Sequence, residues 1–576
     1  MWFLENLERL NTERTAIADL ISEVDWLDDV DWGFYGSQLS LDANIVVDNH
    51  PYAIKMVYPS TFPASPPYVR PIDPNASWSS HQYGAGGDLC LEWGPDNWQQ
   101  VITGADLLRS AYKLLNEERS HSRAAGNTTS VPSRHQLYIG QEIRGKACRF
   151  LIHSSTQQHL NKIRRKRYWL IGLNIGFSRK SSTVYLASLS ISKNNVWENH
   201  LFPKELEKPT IQYKGVFYRT NISGAVICSQ ATPGLLEKLK QQGLDLTPLD
   251  GSDNRYVLIS DSEGGLHLFS RIIPEEWISY ETLYLQNTDM SVRLGPLYEK
   301  YKEAKIGIVG LGSAGSKIAT SLARSGVQNF YLYDHDLFLP ENLCRHTLSW
   351  EDVGQHKVDG ISHSLLLIDP NIKVITRKLM LTGQEASSSV SSALSQLTKC
   401  DIIIDATADS RVFNLLSTVS YQSDTPYIWI EIFEGGIGGF IGRFRPKLEP
   451  DPIAMRAALL SFLDTQDAPE TTSHGDYSAT DNEGNIMVAT DADVSIIAGY
   501  ATNMALDILA QNEPSLFPHS MYLTGLRRGW IFEEPFDTKP LDAIFNESTP
   551  TKEAMQEEDI TEAVEFIKDL IDKSNE

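Results

Sequence analysis

KIGIVGLGSAGSKIATSLARSGVQNFYLYDHDLFLPENLCR, Lys305 to Arg345, decides the fold of the C-terminal half of this chain. The apolar run Ile306 to Val309 reads as a buried parallel strand. It runs into Gly310, Gly312 and Gly315 ahead of a helical pattern from Ser316 to Ser325. A tight turn, a close approach of backbone to a ligand phosphate, and close packing of helix on strand each call for glycine there. The helix N-terminus adds free N–H groups for an anion. A second apolar stretch, Phe330 to Tyr333, ends at Asp334, where an acidic side chain can accept from ribose hydroxyls. The pattern so far implies a nucleotide and no more.

The residues after Asp334 narrow the reading. Asn342 and Arg345 share its strand-exit loop, and Lys357 follows in DVGQHK. Two fixed cations beside a glycine turn suit a triphosphate better than a dinucleotide. A third buried strand, Cys400 to Ile404, leads into DATADSR. That places Asp405 and Asp409 at the carboxyl end of the sheet, where a carboxylate can hold Mg2+. Asp405 reads as a strand-end cap rather than a ligand.

GLGSAG, D-x-D with N-x-x-R, D-x-G-x-x-K and D-A-T-x-D, in this order, resemble the adenylation domain of ubiquitin-activating enzymes and their bacterial relatives in molybdopterin and thiamine synthesis. The resemblance implies that Gly310, Gly312 and Gly315 form the nucleotide turn, that Asp334 holds the ribose, that Asn342, Arg345 and Lys357 hold the phosphates, and that Asp409 holds magnesium. The implied cofactors are ATP and Mg2+.

Composition sets the outer bounds. The 576 residues suit three or four domains, and the net charge of −23 argues against nucleic acid as main partner. The five cysteines form no C-x-x-C pair, which points to a reduced compartment without structural zinc. No apolar run reaches the ~20 residues of a membrane span. The expected location is the bacterial cytoplasm.

Residues 1 to about 25 carry a helical pattern, Leu4, Leu7, Leu10, Ala16, Leu20 and Ile21, ending in an acidic turn, DWLDDVDW. SLDANIVVD and YAIKMVYP read as antiparallel strands, and TFPASPPYVRPIDP as an extended segment. HQYGAGGDLCLEWGPDNW surrounds Cys90, and a helix is expected from Gly104 to Asn116. This order, with Phe62, Pro63, Pro66 and Pro67 in an F-P-x-x-P-P loop, resembles the ubiquitin-conjugating fold. The resemblance implies that Cys90 is the nucleophile, with His81 upstream of it. Gln82 and Tyr83 replace the family's proline and asparagine. The oxyanion donor is therefore left among His81, Asn97 and a backbone N–H. Gly84, Gly86 and Gly87 suggest an exposed shelf for the thiol, and the alternative is a buried structural cysteine.

SHSRAAGNTTSVPSR reads as a linker, and the following domain is mostly strand: Tyr168 to Ile175, Thr183 to Ser190, Thr210 to Arg219, Arg255 to Ser260 and Leu266 to Ile272. Its Cys148 and Cys228 read as core residues, and no catalytic constellation emerges. The basic cluster Lys162, Arg164 to Arg167 reads as a solvated face or an internal salt-bridge partner.

Two-step activating enzymes carry an acyl-accepting cysteine on the segment crossing the sheet, here about Glu431 to Asp493, and this segment has none. Either the adenylate passes directly to Cys90, or Ala479, in a Gly/Ser/Thr loop with Ser473 and Ser478 behind it, stands where a cysteine was replaced. A terminal amphipathic helix, Ile560 to Ile571, reads as docked.

The expected class is multidomain α+β and α/β. It comprises a ubiquitin-conjugating-like domain (1–120), a linker (121–136), a β-rich middle domain (137–288), a Rossmann-like ThiF-type adenylation domain (289–540) and an acidic tail with a helix (541–576). The architecture most resembles the fused conjugating/activating proteins of bacterial CBASS anti-phage operons. That resemblance implies a carrier activated at its C-terminus, a cGAS-like nucleotidyltransferase, ligated through a cysteine thioester to an amine-bearing target by a homodimeric enzyme. The alternative is an adenylyl and sulfur-transfer enzyme whose N-terminal domain only binds partners.

Overall fold

The computed structural model describes residues 1–79, 81–123, 139–143, 145–163, 168–178, 180–192, 195–207, 211–229, 233–249, 254–273, 276–285, 291–382, 385–466, 478–480, 486–542, 564–565 and 567–568. The chain divides into two compact units, Met1–Gly145 and Lys146–Glu576. Apart from residues 137–145, the expected middle domain lies with the expected adenylation domain in the second. Among the described residues no helix is long and apolar enough to cross a membrane.

The first unit opens with α1 (Trp2–Glu5) and α2 (Leu7–Glu23), separated at Asn6, whose side chain caps α2 by accepting from the Arg9 N–H. This break shifts the helical register. Trp2, Phe3, Ile17 and Leu20 are buried, whereas Leu4, Leu7 and Ile21 are exposed, contrary to the continuous face expected. Of the acidic stretch only Asp25 and Trp26 form a bend, and the rest is no turn. It lies in β1 (Leu27–Tyr35), which pairs with β2 (Gln38–Val47), and a bulge between Asp28 and Asp31, with Asp29 at φ 52°, absorbs the extra charged residues. β3 (His50–Val57) and β4 (Tyr68–Pro71) complete an antiparallel meander, and α3 (Gly104–Arg123) packs on it through Leu107, Leu108, Ala111, Leu114 and Leu115. Glu13 ties the two long helices together. It is fully buried and accepts from Tyr58 Oη at 2.9 Å and from the Gly104 N–H at 2.7 Å, while Arg9 pairs with its other oxygen at 2.7 Å. Gly104 is obligatory, since a Cβ there would lie 2.2 Å from Tyr58 Oη. A short α4 (Ile139–Glu142) follows the expected linker, most of which lies outside the described residues.

The second unit begins with an eight-stranded mixed sheet: β5 (Cys148–His153), β6 (Trp169–Phe177), β7 (Ser182–Ser192), β8 (Asn195–Glu198), β9 (Ile211–Arg219), β10 (Asn254–Ser260), β11 (Leu266–Ile273) and β12 (Glu276–Leu285). All five expected strands are present. The order is β5-β12-β11-β10-β9-β6-β7-β8, and β5 also pairs with β7, so the sheet closes into a barrel with β8 appended. Phe150, Leu173, Val184, Phe217 and Leu258 fill its core. α5 (Ser154–Lys162), α6 (Gly224–Ser229) and α7 (Pro233–Gln241) decorate it. Cys228, expected in the core, is exposed, because it sits at the outer end of α6 while Ile227 turns inward. Arg164 to Arg167 lie outside the described residues.

After α8 (Ser291–Leu294) and α9 (Tyr298–Glu303), the chain forms a second eight-stranded sheet from β13 (Lys305–Val309), β14 (Asn329–Tyr333), β15 (Lys373–Arg377), β16 (Ile402–Asp405), β17 (Tyr427–Ile432), β18 (Gly438–Phe444), β21 (Met521–Gly525) and β22 (Thr538–Leu541). A separate hairpin joins β19 (Ser478–Thr480) to β20 (Ile486–Val488). The order is β15-β14-β13-β16-β17-β18-β21-β22, parallel from β15 to β17 and antiparallel beyond. The helices are α10 (Ser313–Arg324), α11 (Lys357–Ile368), α12 (Ser387–Leu397), α13 (Ser410–Ser423), α14 (Pro452–Asp464) and α15 (Asp491–Ala510). One core gathers Ile306, Ile308, Leu332, Ile402 and Ile404 with α10 and α15; another gathers Ile403, Tyr427 and Trp429 with α13 and α14. The core is crossed by one charge network. Arg443, fully buried, donates to Glu449 at 2.7 Å and to Ser515 Oγ at 2.8 Å. Of the expected terminal helix, residues 564, 565, 567 and 568 are described as helical. Val564 and Ile567 are exposed rather than docked, because the described chain lays no apolar surface over them.

Candidate functional site

The glycine turn forms at the carboxyl end of β13, the central parallel strand, beside its neighbours β14 and β16. Gly310 takes φ 84° and its N–H donates to the Tyr333 carbonyl at 2.9 Å. A Cβ at Gly310 would lie 2.8 Å from Thr407 Cγ2, and one at Gly315 only 1.9 Å from the Gly310 carbonyl. A Cβ at Gly312 would meet nothing within 4 Å. Gly310 and Gly315 are thus packing requirements, and Gly312, the N-cap of α10, faces open space as an anion-binding turn demands.

The Leu311 peptide is clamped from both sides. Its N–H donates to Asp334 Oδ2 at 2.6 Å, and its carbonyl accepts from His346 Nε2 at 2.8 Å. His346 Nδ1 accepts from the Leu348 N–H at 3.1 Å, so the neutral Nε2–H tautomer satisfies both contacts. Burial pushes the His346 pKa down. Asp334 Oδ1 also accepts from the Asp336 N–H at 2.8 Å. The residue expected to hold ribose therefore already shapes the loop, with lone pairs left on each oxygen. Sequence reading passed over His346, although it closes the quoted loop.

The two expected cations have protein partners. Lys357 is buried and reaches Asp336 Oδ2 at 2.8 Å. Burial opposes the Asp336 anion, yet the Lys357 bond outweighs it and holds this carboxyl below the usual range. Arg345 Nη1 donates to the Ala489 carbonyl at 3.0 Å, just before α15. Asn342 Oδ1 accepts from the Leu339 N–H at 2.9 Å, capping the short helix Pro340–Cys344. Two further cations went unread: Lys317, in the first turns of α10, pairs with Asp491 at 2.5 Å, and Arg527 pairs with Asp493 at 2.9 Å.

Asp405 is the cap the sequence suggests. It accepts from Thr407 N at 2.9 Å, from Thr407 Oγ1 at 2.6 Å and from Tyr427 Oη at 3.0 Å. Asp409 lies at the expected sheet edge but is the N-cap of α13. Its Oδ1 accepts from the Arg411 N–H at 2.8 Å, and its Oδ2 from Arg411 Nη2 at 2.6 Å. The Arg411 bond holds its carboxyl below the usual range. As arranged, Asp409 offers a cation no oxygen that Arg411 does not already hold. Among the described residues the one close group of possible metal ligands is Asp334, His335 and Asp336.

In the first unit, Cys90 is not on an exposed shelf; it retains 7% exposure. Leu89 and Leu91, on either side of it, are buried in the core. The upstream glycines serve closure instead. Gly86 takes φ 64°, and a Cβ there would lie 2.2 Å from the Pro74 carbonyl. Burial pushes the Cys90 thiol up to about 11, against a hydrogen bond with Tyr83. His81 meets Cys90 through its backbone, its carbonyl accepting the Cys90 N–H at 2.8 Å. Asn97 is committed to a turn, accepting from the Gly94 N–H at 2.7 Å and donating to the Glu92 carbonyl at 2.9 Å. Trp98 Nε1 donates to the Pro63 carbonyl at 2.8 Å, fixing the proline loop.

Ala479 falls in the β19–β20 hairpin opposite Met487, not in a loop, because the flanking residues pair as strands. Ser478 shares that strand, and Ser473 lies outside the described residues.

Residues 285–530 match the ThiF family. The chain is 33% identical over 147 residues to the ATP-dependent ubiquitin transferase-like protein Cap2 of Escherichia coli (strain TW11681), covering 24% of this chain and 23% of that one. It is 23% identical over 154 residues to ubiquitin-like modifier-activating enzyme 5 of Aedes aegypti, covering 26% and 39%. It is 30% identical over 131 residues to molybdopterin-synthase adenylyltransferase of Escherichia coli (strain K12), covering 23% and 50%. The chain thus spans from 23% to 50% of the length of these curated relatives. It resembles the ThiF-type proteins of CBASS systems.

Proposed function

We propose that the second unit binds Mg·ATP at the Gly310–Gly315 turn and adenylates the C-terminal carboxylate of a carrier protein. One carboxylate oxygen attacks the α-phosphorus, a new P–O bond forms, and pyrophosphate leaves with the bond it held. The observation that carries this reading is the Leu311 clamp. Asp334 and His346 fix the turn on both faces while Gly312 opens onto vacant space at the start of α10. Preorganised N–H groups there lower the cost of binding phosphate. Lys357, with Lys317 nearby on α10, supplies positive charge. The metal arrives on the nucleotide, and no step is routed through Asp409.

The carrier in this reading is a cGAS-like nucleotidyltransferase, as the resemblance to the fused conjugating/activating proteins of CBASS operons implies. The acyl group then passes to Cys90 and on to an amine of a target, within a homodimer acting in anti-phage defence. The test is pyrophosphate release from Mg·ATP on adding such a nucleotidyltransferase, intact or lacking its C-terminal residues. Release that needs the intact C-terminus and falls at least tenfold in Lys357→Ala supports adenylation. Release indifferent to the C-terminus overturns the carrier assignment.

A second reading, adenylation with sulfur transfer, is favoured by one observation: the Cys90 thiol is buried and pushed up to about 11. On that reading the acyl adenylate accumulates, Cys90→Ala changes nothing, and a sulfur donor is required.

A further inference from the structure

Spacing alone reveals no constellation in the barrel, because its chemistry is assembled from a helix, a turn and a strand. Cys228, on α6, places Sγ 3.6 Å from His267 Nδ1. The opposite ring nitrogen, Nε2, lies 2.9 Å from Asp261 Oδ2. Asp261 is buried, and its Oδ1 accepts from the Glu263 N–H at 2.9 Å and from the Gly265 N–H at 2.7 Å. The carboxylate is therefore fixed, the imidazole is oriented by it, and Cys228 itself is exposed. We infer that Cys228, His267 and Asp261 form a thiol acyl-transfer centre, whose substrate is an activated acyl group such as a thioester.

Two glycines keep this arrangement possible. A Cβ at Gly224 or at Gly265 would lie 2.6 Å from Asp261 Oδ2 and would push the carboxylate off the imidazole. The line of groups also separates this centre from a metal site. The thiol and the carboxylate address opposite nitrogens of one ring instead of converging on a point, and they are absent from the close ligand groups among the described residues. Burial opposes the Asp261 anion, yet the His267 bond and the two N–H donors outweigh it and hold the carboxyl below the usual range. Burial, with Glu281 and Asp261 adding negative charge, pushes the Cys228 thiol up. The thiol thus rests protonated and needs a base at the moment of attack.

With Nε2–H donating to Asp261, the Nδ1 lone pair faces the thiol. Nδ1 takes the thiol proton as sulfur attacks the acyl carbon and the C=O π pair moves to oxygen. The pair returns, the bond to the leaving thiolate breaks, and the imidazolium gives its proton to that group. An acyl–Cys228 thioester remains.

The test uses the full chain, without ATP or carrier, and the thiophenyl ester of benzoylglycine as probe. Peptide mass mapping measures acylation at Cys228 against Cys344, an exposed cysteine of the same chain. Base assistance predicts Cys228 ahead by about tenfold or more, with the lead erased in His267→Gln and reduced in Asp261→Asn. Equal rates in the unmodified protein overturn the proposal, and so does a lead that survives His267→Gln. Because the wild-type comparison needs no variant, misfolding of either substitution leaves the test intact. Because no nucleotide is present, failure here leaves the adenylation reading untouched.

Discussion

His346 Nε2 stands 2.8 Å from the carbonyl oxygen of Leu311, while Nδ1 accepts from the Leu348 N–H at 3.1 Å, a bond that only the neutral ring can make. Burial lowers the folded pKa from 6.5. The unfolded chain therefore binds the proton first as pH falls. The stabilisation is fully present above about 6.5 and is lost as pH drops through the depressed folded value. Thermal melting and pyrophosphate release should both decline over that window. His346→Gln, which cannot titrate, should flatten that acid limb while lowering activity at neutral pH.

Gly312 and Gly315 should separate binding from folding. Gly315→Ala forces a Cβ to 1.9 Å from backbone and should cost about 1–3 kcal/mol of stability, read as a lowered Tm. Gly312→Ala meets nothing within 4 Å, so its Tm should stay close to wild type while the KM for ATP rises severalfold. An unchanged KM would show that phosphate does not approach Gly312.

Arg411 and Asp409 make a metal titration informative. Releasing the carboxylate by Arg411→Ala should lower the Mg2+ concentration that half-saturates pyrophosphate release, whereas Asp409→Asn, at a carboxylate already held by Arg411, should leave it unchanged. If neither variant moves the titration, Asp409 is a helix cap alone, contributing about 1 kcal/mol.

Glu13 is a stability centre for the first unit. Glu13→Ala strands Arg9 and the Gly104 N–H in the interior and should cost about 3–5 kcal/mol. Urea unfolding followed by tryptophan fluorescence reads that loss, and Lys55→Ala, at a partly exposed pair with Asp42, should change it by less than about 1 kcal/mol.

Cys90 should alkylate slowly. With its thiol pushed up to about 11, iodoacetamide at pH 8 should label it well after Cys344, and its rate should keep rising toward pH 11. Rapid labelling at pH 8 would mean that the segment around Cys90 opens readily.

Periodicity made much of this legible. Ile306, Ile308, Ile402 and Ile404 sit in strands buried on both faces, so their apolar runs identify the parallel sheet without any tertiary information. The Leu107–Leu115 stripe likewise announced α3. Where a single residue resets a pattern, the reading failed. Asn6 interrupts the first helix and rotates its buried face, and Asp29 lets an acidic stretch run on as strand. At the nucleotide turn the residue types were readable, but not how they are occupied. Lys357, Arg345 and Asp409 look free in a string of letters and are each held by a neighbour distant in sequence or by a local cap. Cys228 and His267 are beyond any spacing rule, because only the pairing of β9, β10 and β11 brings α6 to β11.

The β5–β7 closure limits how the barrel can greet an extended peptide. Strands β5, β6, β7 and β9 to β12 each spend both margins on neighbours, so a carrier tail seeking backbone partners finds one open selvedge among the described residues, the outer side of β8. Any tail that reaches this domain elsewhere must be gripped by side chains, and its recognition will follow residue identity rather than mere extension.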